Sequence, residues 1–541
     1  MRYKRPLLAL TSLALLTACG GGADAANDSA GGTPVKGGTL RIAFWDDAQG
    51  CIDPNQVYWI ESRSLNRQFA DSLTDQDPET GKIVPWLATS WEVNDDATSY
   101  TFKLRNDVTF SDGTKFDATA VKTAYDATHA LGAKSLLGLT YTAGYKSTEV
   151  VDDYTVKVDF EKPNSAFLQA SSTTTMAILS PKTYEQTPEE RCTGKNLVGS
   201  GAFTLDSYTA ATEAKLSRRD GYAWPSELIE NQGDAYLDAI EVSYIKEDGV
   251  RVGSLTSGSI DIAWPRLPIS EADQKVIEAT GAGIESRSLP GISSSLIPNV
   301  SAGKPLADEK VRQALQKSID RKSYASTVFW DGYPVVSGPF DETTPYATDS
   351  SSALAYDPEG AKALLDEAGW TAGADGYRAK DGKPLTLTIP VQTTTPGDQL
   401  VQDQLKQVGI KVDLKVLTLA QYQAAAADGG YDLLATYYTR ADPSVLGSVL
   451  DSEVSQAGTA QLSQTADVAP QISGLFAEGL QDVDEDKRAS TYADLQKLIV
   501  EQGVMFPLYE RVQTAGVAAK VHGFAWTSEA FLRANDIWIS Q

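Results

Sequence analysis

The chain offers few residues with which to do covalent chemistry. Two histidines, His129 and His522, occur in 541 residues. Histidine-based triads and multi-histidine metal sites therefore have little material. No Gly-x-Ser-x-Gly elbow is present. Ser301-Ala302-Gly303-Lys304 matches Ser-x-x-Lys, the acylation motif of penicillin-interacting serine enzymes, but neither Ser-Asp-Asn nor Lys-Thr-Gly accompanies it. Asp482, Asp484 and Asp486 are spaced like the start of a calcium loop. Lys487 stands where that loop needs glycine, however, and Ala493 where it needs a bidentate glutamate. No Gly-x-x-x-x-Gly-Lys-[Ser/Thr] phosphate loop occurs, so the chain cannot hydrolyse ATP by that route. The expectation is a non-enzyme with no metal site and no cofactor.

The elements read as mixed helix and strand. Tyr100, Phe102 and Leu104 alternate with Thr101, Lys103 and Arg105, the period of a strand with one buried face. Ser111-Asp112-Gly113 supplies turn residues, and Asp117 can cap a helix carrying Val121 and Tyr125. Thr39 to Phe44 reads as the first strand, and Tyr154 to Phe160 alternates again. Asp308 can open a helix through Val311, Ala314, Leu315, Ser318 and Ile319. Asp357-Pro358 opens another that Gly369 can end. A third, around Leu400 to Val408, stops at Gly409, and Ile410, Val412, Leu414 and Val416 follow as a strand. Tyr492 to Val500 reads as a further helix. Such alternation indicates α/β layers.

The N-terminus carries an address. Arg2, Lys4 and Arg5 precede the apolar stretch Leu7 to Leu16, too short to span a bilayer, and Leu16-Thr17-Ala18-Cys19 follows. That ending resembles a bacterial lipobox, which implies cleavage after residue 18 and lipidation of Cys19; a plain secretory signal is the alternative. Residues 19–37 form a flexible tether. The balance of 47 basic against 72 acidic residues gives a net charge of −25, which argues against nucleic acid. In an oxidising compartment Cys51 and Cys192 are expected to pair, two buried thiols being the alternative.

The strings themselves are more specific than their periodicity. Pro85-Trp86-Leu87-Ala88, Ser90-Trp91-Glu92, Tyr100 to Arg105 and Phe110-Ser111-Asp112-Gly113 together resemble the signature of solute-binding protein family 5, the peptide- and nickel-type receptors of ABC importers. Gly37-Gly38-Thr39-Leu40, Val198 to Phe203, Ser257 to Ala263, Val311 to Leu315 and Met505 to Tyr509 are similar to further family blocks. The resemblance covers roughly residues 38 to 530. It implies an α/β, two-lobed Venus-flytrap architecture of the periplasmic-binding-protein type, with a large first lobe carrying an extra subdomain and a hinge-connected second lobe. On that reading residues 38–288 plus 505–541 form the first lobe and 289–504 the second.

The same resemblance places ligand contacts. Trp45 and Asp46 stand where the first lobe's loop meets the ligand. Ser294 lies in the strand entering the second lobe, where hydroxyls could bond an extended ligand or merely serve a hinge. Tyr437, Tyr438, Arg440 and Asp442 occupy the second-lobe strand and binding loop. In peptide-binding members an aspartate about four residues before the proline takes the peptide's α-amino group. Here that offset from Pro443 is Thr439, and the acid stands at Asp442. Arg440 is then expected to hold a carboxylate by a forked pair. Of adjacent Tyr437 and Tyr438, core packing is expected to claim at least one. The function expected is a monomeric, lipid-anchored receptor on the outer face of the cytoplasmic membrane. It would capture peptides or similar small solutes and deliver them to a permease with separate ATPase subunits. The same scaffold could instead bind a metal chelate, an oligosaccharide or another metabolite, or bind solute for sensing. A surface-anchored serine hydrolase or transferase using Ser301 and Lys304 is the reading of a different class.

Overall fold

The computed structural model describes residues 32–452, 455 and 459–540. The signal segment and Cys19 lie outside the described residues. Sheets and helices are mixed throughout, as the alternating pattern requires. The largest sheet has seven strands in the order Gly283–Ser288, Val512–Val517, Ile262–Trp264, Thr39–Phe44, Ala239–Tyr244, Glu213–Arg218 and Phe203–Thr209. Thr39–Phe44 is its centre, parallel to both neighbours. Arg41 on this strand clamps the buried Asp261 carboxylate through Nε at 3.0 Å and Nη2 at 2.7 Å, fixing the approach to the Ile262–Trp264 strand.

The strand anticipated around Tyr100 is Ser99–Leu104, with Tyr100, Phe102 and Leu104 buried. It lies inside a four-stranded antiparallel sheet with Ala88–Val93, Thr155–Phe160 and Tyr145–Asp152. Helix Ala118–Ala130 packs on this unit, and the Asp117 side chain accepts from the Ala120 amide at 2.9 Å as its cap. The main core runs through both sheets, from Leu40 to Trp264 and again from Ala515 to Ile537. Cys51 and Cys192 form a disulfide within this half. Gly199 and Gly201 lie against the end of helix Ile60–Phe69, where a Cβ at Gly199 would meet the Phe69 carbonyl at 1.9 Å. Ser200 between them donates to the Asp71 carboxylate at 3.0 Å.

A second set of cores draws on residues 292 to 508. Its antiparallel sheet has the order Leu433–Thr439, Gly291–Pro298, Phe506–Tyr509. Beside it, Thr386–Val391 and Lys411–Val416 pair in parallel across helix Pro396–Gln407. Asp308, Asp357 and Thr395 cap the helices that follow them, and Gly369 and Gly409 take positive φ at the ends. Asp484 likewise caps helix Glu485–Glu501, with Asp486 in its first turn and Asp482 paired with Lys487. The chain passes between the two sets at 289–290 and again at 510–511. The strand Phe506–Tyr509, expected to open the return to the first lobe, pairs with Gly291–Pro298 instead. No helix among the described residues is long and apolar enough to cross a membrane.

Candidate functional site

The two chain crossings are held by one guanidinium. Arg511 binds Asp341 through Nε at 2.6 Å and through its own amide at 2.9 Å. Its Nη1 donates to Thr439 Oγ1 at 2.7 Å, and its Nη2 to the carbonyls of Tyr438 and Pro290 at 3.0 and 3.2 Å. Every part of this fork is therefore used in joining strand Leu433–Thr439 to both crossings. Glu510, the next residue back, accepts from the Glu342 amide at 2.7 Å. Burial and then the neighbouring Asp341 charge push its carboxyl up to about 8.

In front of Arg511 lies a cavity of about 150 Å³ built from both halves of the molecule. One wall is Trp59 and Glu61 at the start of helix Ile60–Phe69, with Arg266 in the loop after strand Ile262–Trp264. The other is Tyr333, Tyr437 and Tyr509. Tyr333 stacks on Phe329 at 4.0 Å between centroids, and Tyr509 on Tyr324 at 5.4 Å, so the second wall is backed by rings. Burial pushes the Glu61 carboxyl up to about 7, against the pull of its own helix-terminal amide and of the Arg266 charge. The Arg266 guanidinium lies 4.8 Å from the centre of the Trp45 ring and 4.6 Å from that of Trp59. Among the described residues its one polar contact is with the Tyr437 hydroxyl, at 3.4 Å, across the cavity.

The residues expected to touch ligand divide between this cavity and other surroundings. Tyr437 lines it, and Trp45 supports it through Arg266. Tyr438 is 44% exposed and Tyr437 50%, so core packing claims neither. Leu433–Thr439 is the edge of its sheet, and its last residues run past the buried Leu433 and Leu434. Asp46 is paired with Lys246 at 3.0 Å. Ser294 is buried opposite Tyr509 at the bulge of strand Gly291–Pro298, where Ser293 bonds the Gly338 carbonyl at 3.0 Å. Arg440 is buried 4.5 Å over the Tyr141 ring, away from the cavity. Asp442 pairs with Arg488 at 3.2 Å and borders a second cavity of about 360 Å³ with Gln76, Tyr100 and Tyr346. Although burial opposes it, Arg488 and Arg440 hold the Asp442 carboxyl below the usual carboxylate range.

Sequence reasoning missed Trp59, Glu61, Arg266 and Tyr333. The position of Arg266 just beyond a strand's carboxyl end was the one local signal, since crevices in open α/β sheets form there. The Ser301 and Lys304 pair is not assembled. The Lys304 ammonium donates to the Tyr431 carbonyl at 2.8 Å and pairs with Asp432 at 3.2 Å. His129 bonds Thr142 at 3.1 Å and His522 bonds Ser540 at 3.2 Å, both as packing residues.

Comparison with known proteins gives this arrangement a context. The model of the bacterial extracellular solute-binding proteins, family 5, matches residues 82–453. The glutathione-binding protein GsiB of Escherichia coli (strain K12) is 27% identical over 480 residues, covering 87% of this chain and 89% of its own. Among solved structures, NikA of Brucella suis in complex with Fe(III)-EDTA superposes with a TM-score of 0.80 at 26% identity, covering 93% of this chain and all of that one. The oligopeptide-binding protein AppA of Bacillus subtilis, in complex with a nonapeptide, gives 0.73 at 21% identity, over 94% of this chain and all of AppA. At that identity the likeness to AppA concerns the fold, which is two-lobed.

Proposed function

We infer ligand and attachment from one premise: the chain belongs to the bacterial extracellular solute-binding proteins of family 5, the binding components of ABC importers. Proteins of this family act outside the cytoplasmic membrane, deliver small solutes to a permease, and are binding proteins rather than enzymes. For this chain the ligand is a short peptide or peptide-like solute, of the size class of glutathione, held between two lobes. The first lobe comprises residues 38–288 with 510–541 and the second 291–509, which moves the second crossing from 505 to 510–511 in keeping with the strand pairing.

The observation that carries the reading is the cavity walled by Trp59 and Arg266 on one side and Tyr437 and Tyr509 on the other. Aromatic walls give large contact area with few rotors to freeze, and a small number of charged groups then orient the solute. The edge strand Leu433–Thr439 beside it offers main-chain groups to an extended ligand, which favours a peptide over an oligosaccharide. Capture and lobe closure make or break no bond. Cys19 carries the lipid that tethers the monomer to the membrane's outer face.

Native mass spectrometry of the protein purified gently from its own host tests the ligand. Co-purifying short peptides or glutathione support the reading, whereas a single metal-chelate or sugar mass moves the ligand class. A protein that arrives empty, and whose melting temperature no peptide pool or glutathione raises, overturns it. A Cys19→Ser variant is expected to leave the membrane fraction; retention there would remove the lipid anchor from the account.

A further inference from the structure

The geometry points to Arg266 as the residue that selects the ligand, by pairing its guanidinium with a carboxylate of the solute; this rests on the reading of the cavity as the solute site. Two cations line that cavity, Arg266 and Arg511. Arg511 is already bonded to Asp341, Thr439 and two carbonyls. Arg266 has no ion-pair partner within 4.0 Å among the described residues, and its single polar contact is the long one to Tyr437. The two acids on its own side of the cleft do not complete it. Asp46 is held by Lys246, and Glu61, buried in the first turn of its helix, feels the Arg266 charge without forming an ion pair with it.

The indoles of Trp45 and Trp59, 6.3 Å apart, fix this cation without consuming its donors. A guanidinium lying over ring faces keeps its N–H groups in its own plane, directed outward from the stack. That leaves a planar fork at the mouth of an aromatic cavity. There a carboxylate gains the matched two-bond geometry of the fork, at a cation that is exposed on the cleft side. Tyr437, reaching from the other lobe to the same guanidinium, links occupation of the fork to closure. The solute is accordingly an acid, and a peptide enters with a free carboxylate toward Arg266.

The test uses the mature chain from residue 20 and four probes in calorimetry: glutathione, trialanine, trialanine amide and N-acetyl-trialanine. Wild type is expected to bind free trialanine at least tenfold more tightly than its amide, a difference of about 1.4 kcal/mol. Arg266→Gln should erase that ratio by weakening the acid alone, while Arg266→Lys retains part of it. Melting temperatures of the unliganded variants within a few degrees of wild type show that the fold is kept. Equal binding of acid and amide by wild type, or equal weakening of both by Arg266→Gln, overturns the role of Arg266 and leaves the peptide reading standing. A wild type indifferent to all four probes overturns the peptide reading, and this inference with it.

Discussion

At the scale of single residues, the sequence supplied the types of the site but not their directions. Tyr437 lines the cavity, but the resemblance offered it and Tyr438 alike, and strand alternation alone did not separate them. Arg440 lies outside this cavity, which its type could not tell, because a charge says nothing about which side of a turn its side chain leaves. Packed over Tyr141, it serves the junction and not the cavity. Trp59 and Arg266 were invisible because they are about 200 positions apart and meet only after the sheet is formed. Glu510 is a similar case, an unremarked acid that folding buries at a crossing. Its unfolded value is 4.5 and its folded value about 8, so between these pH values the folded chain holds a proton that the unfolded chain has lost. Stability therefore falls as pH rises through that window. Glu510→Gln keeps the acceptor for Glu342 and removes the titration. It should nearly match wild type at pH 4.5 and exceed it at pH 9 by about 2–4 kcal/mol. Urea unfolding at the two pH values measures this, and an equal effect at both would contradict it.

Elements were the most legible scale, because caps and alternation are local. Asp117, Asp308, Asp357 and Gly409 all act where their types suggested. What local reasoning could not supply was pairing: strand Phe506–Tyr509, expected with the first lobe, pairs with Gly291–Pro298. The most constrained pairing at the site is that of Gly291 with Thr439. Gly291 has φ of +122°, and a Cβ there would meet the Tyr438 carbonyl at 2.0 Å. Only glycine lets strand Leu433–Thr439 come this close to the crossing. Gly291→Ala must either adopt a strained backbone or push that strand away, which also shifts Tyr437 and breaks the Arg511 bonds to Tyr438 and Thr439. A loss of about 2–4 kcal/mol in unfolding free energy is expected, with weaker binding of any ligand. Denaturation at a wild-type midpoint would show that the strand has room.

At the scale of the whole molecule, affinity depends on closure as well as on contact. The two halves of the chain also touch away from the Arg266 cavity: Ser165 bonds the carbonyls of Leu480 and Gly479 at 2.8 and 2.9 Å, and Gln76 bonds Ala441 at 3.1 Å. Arg440 over Tyr141 belongs to this set. Such contacts exist only when the lobes are together, so each biases the open–closed equilibrium without meeting the solute. A cation–π contact of this kind, largely desolvated, contributes about 0.5–2 kcal/mol. Arg440→Gln should therefore weaken free and amidated peptides by the same factor, about 2- to 30-fold, leaving their ratio intact. Arg266→Gln should change the ratio. Small-angle scattering separates the two further. The Arg440 variant is expected to show a larger radius of gyration at sub-saturating ligand than wild type at equal occupancy, and the Arg266 variant to close as wild type does once bound. If Arg440→Gln weakened only the free acid, its charge would be acting on the ligand and the division of labour between the two arginines would be wrong. The comparison therefore assigns charge selection and lobe closure to different parts of the molecule, or returns both to one.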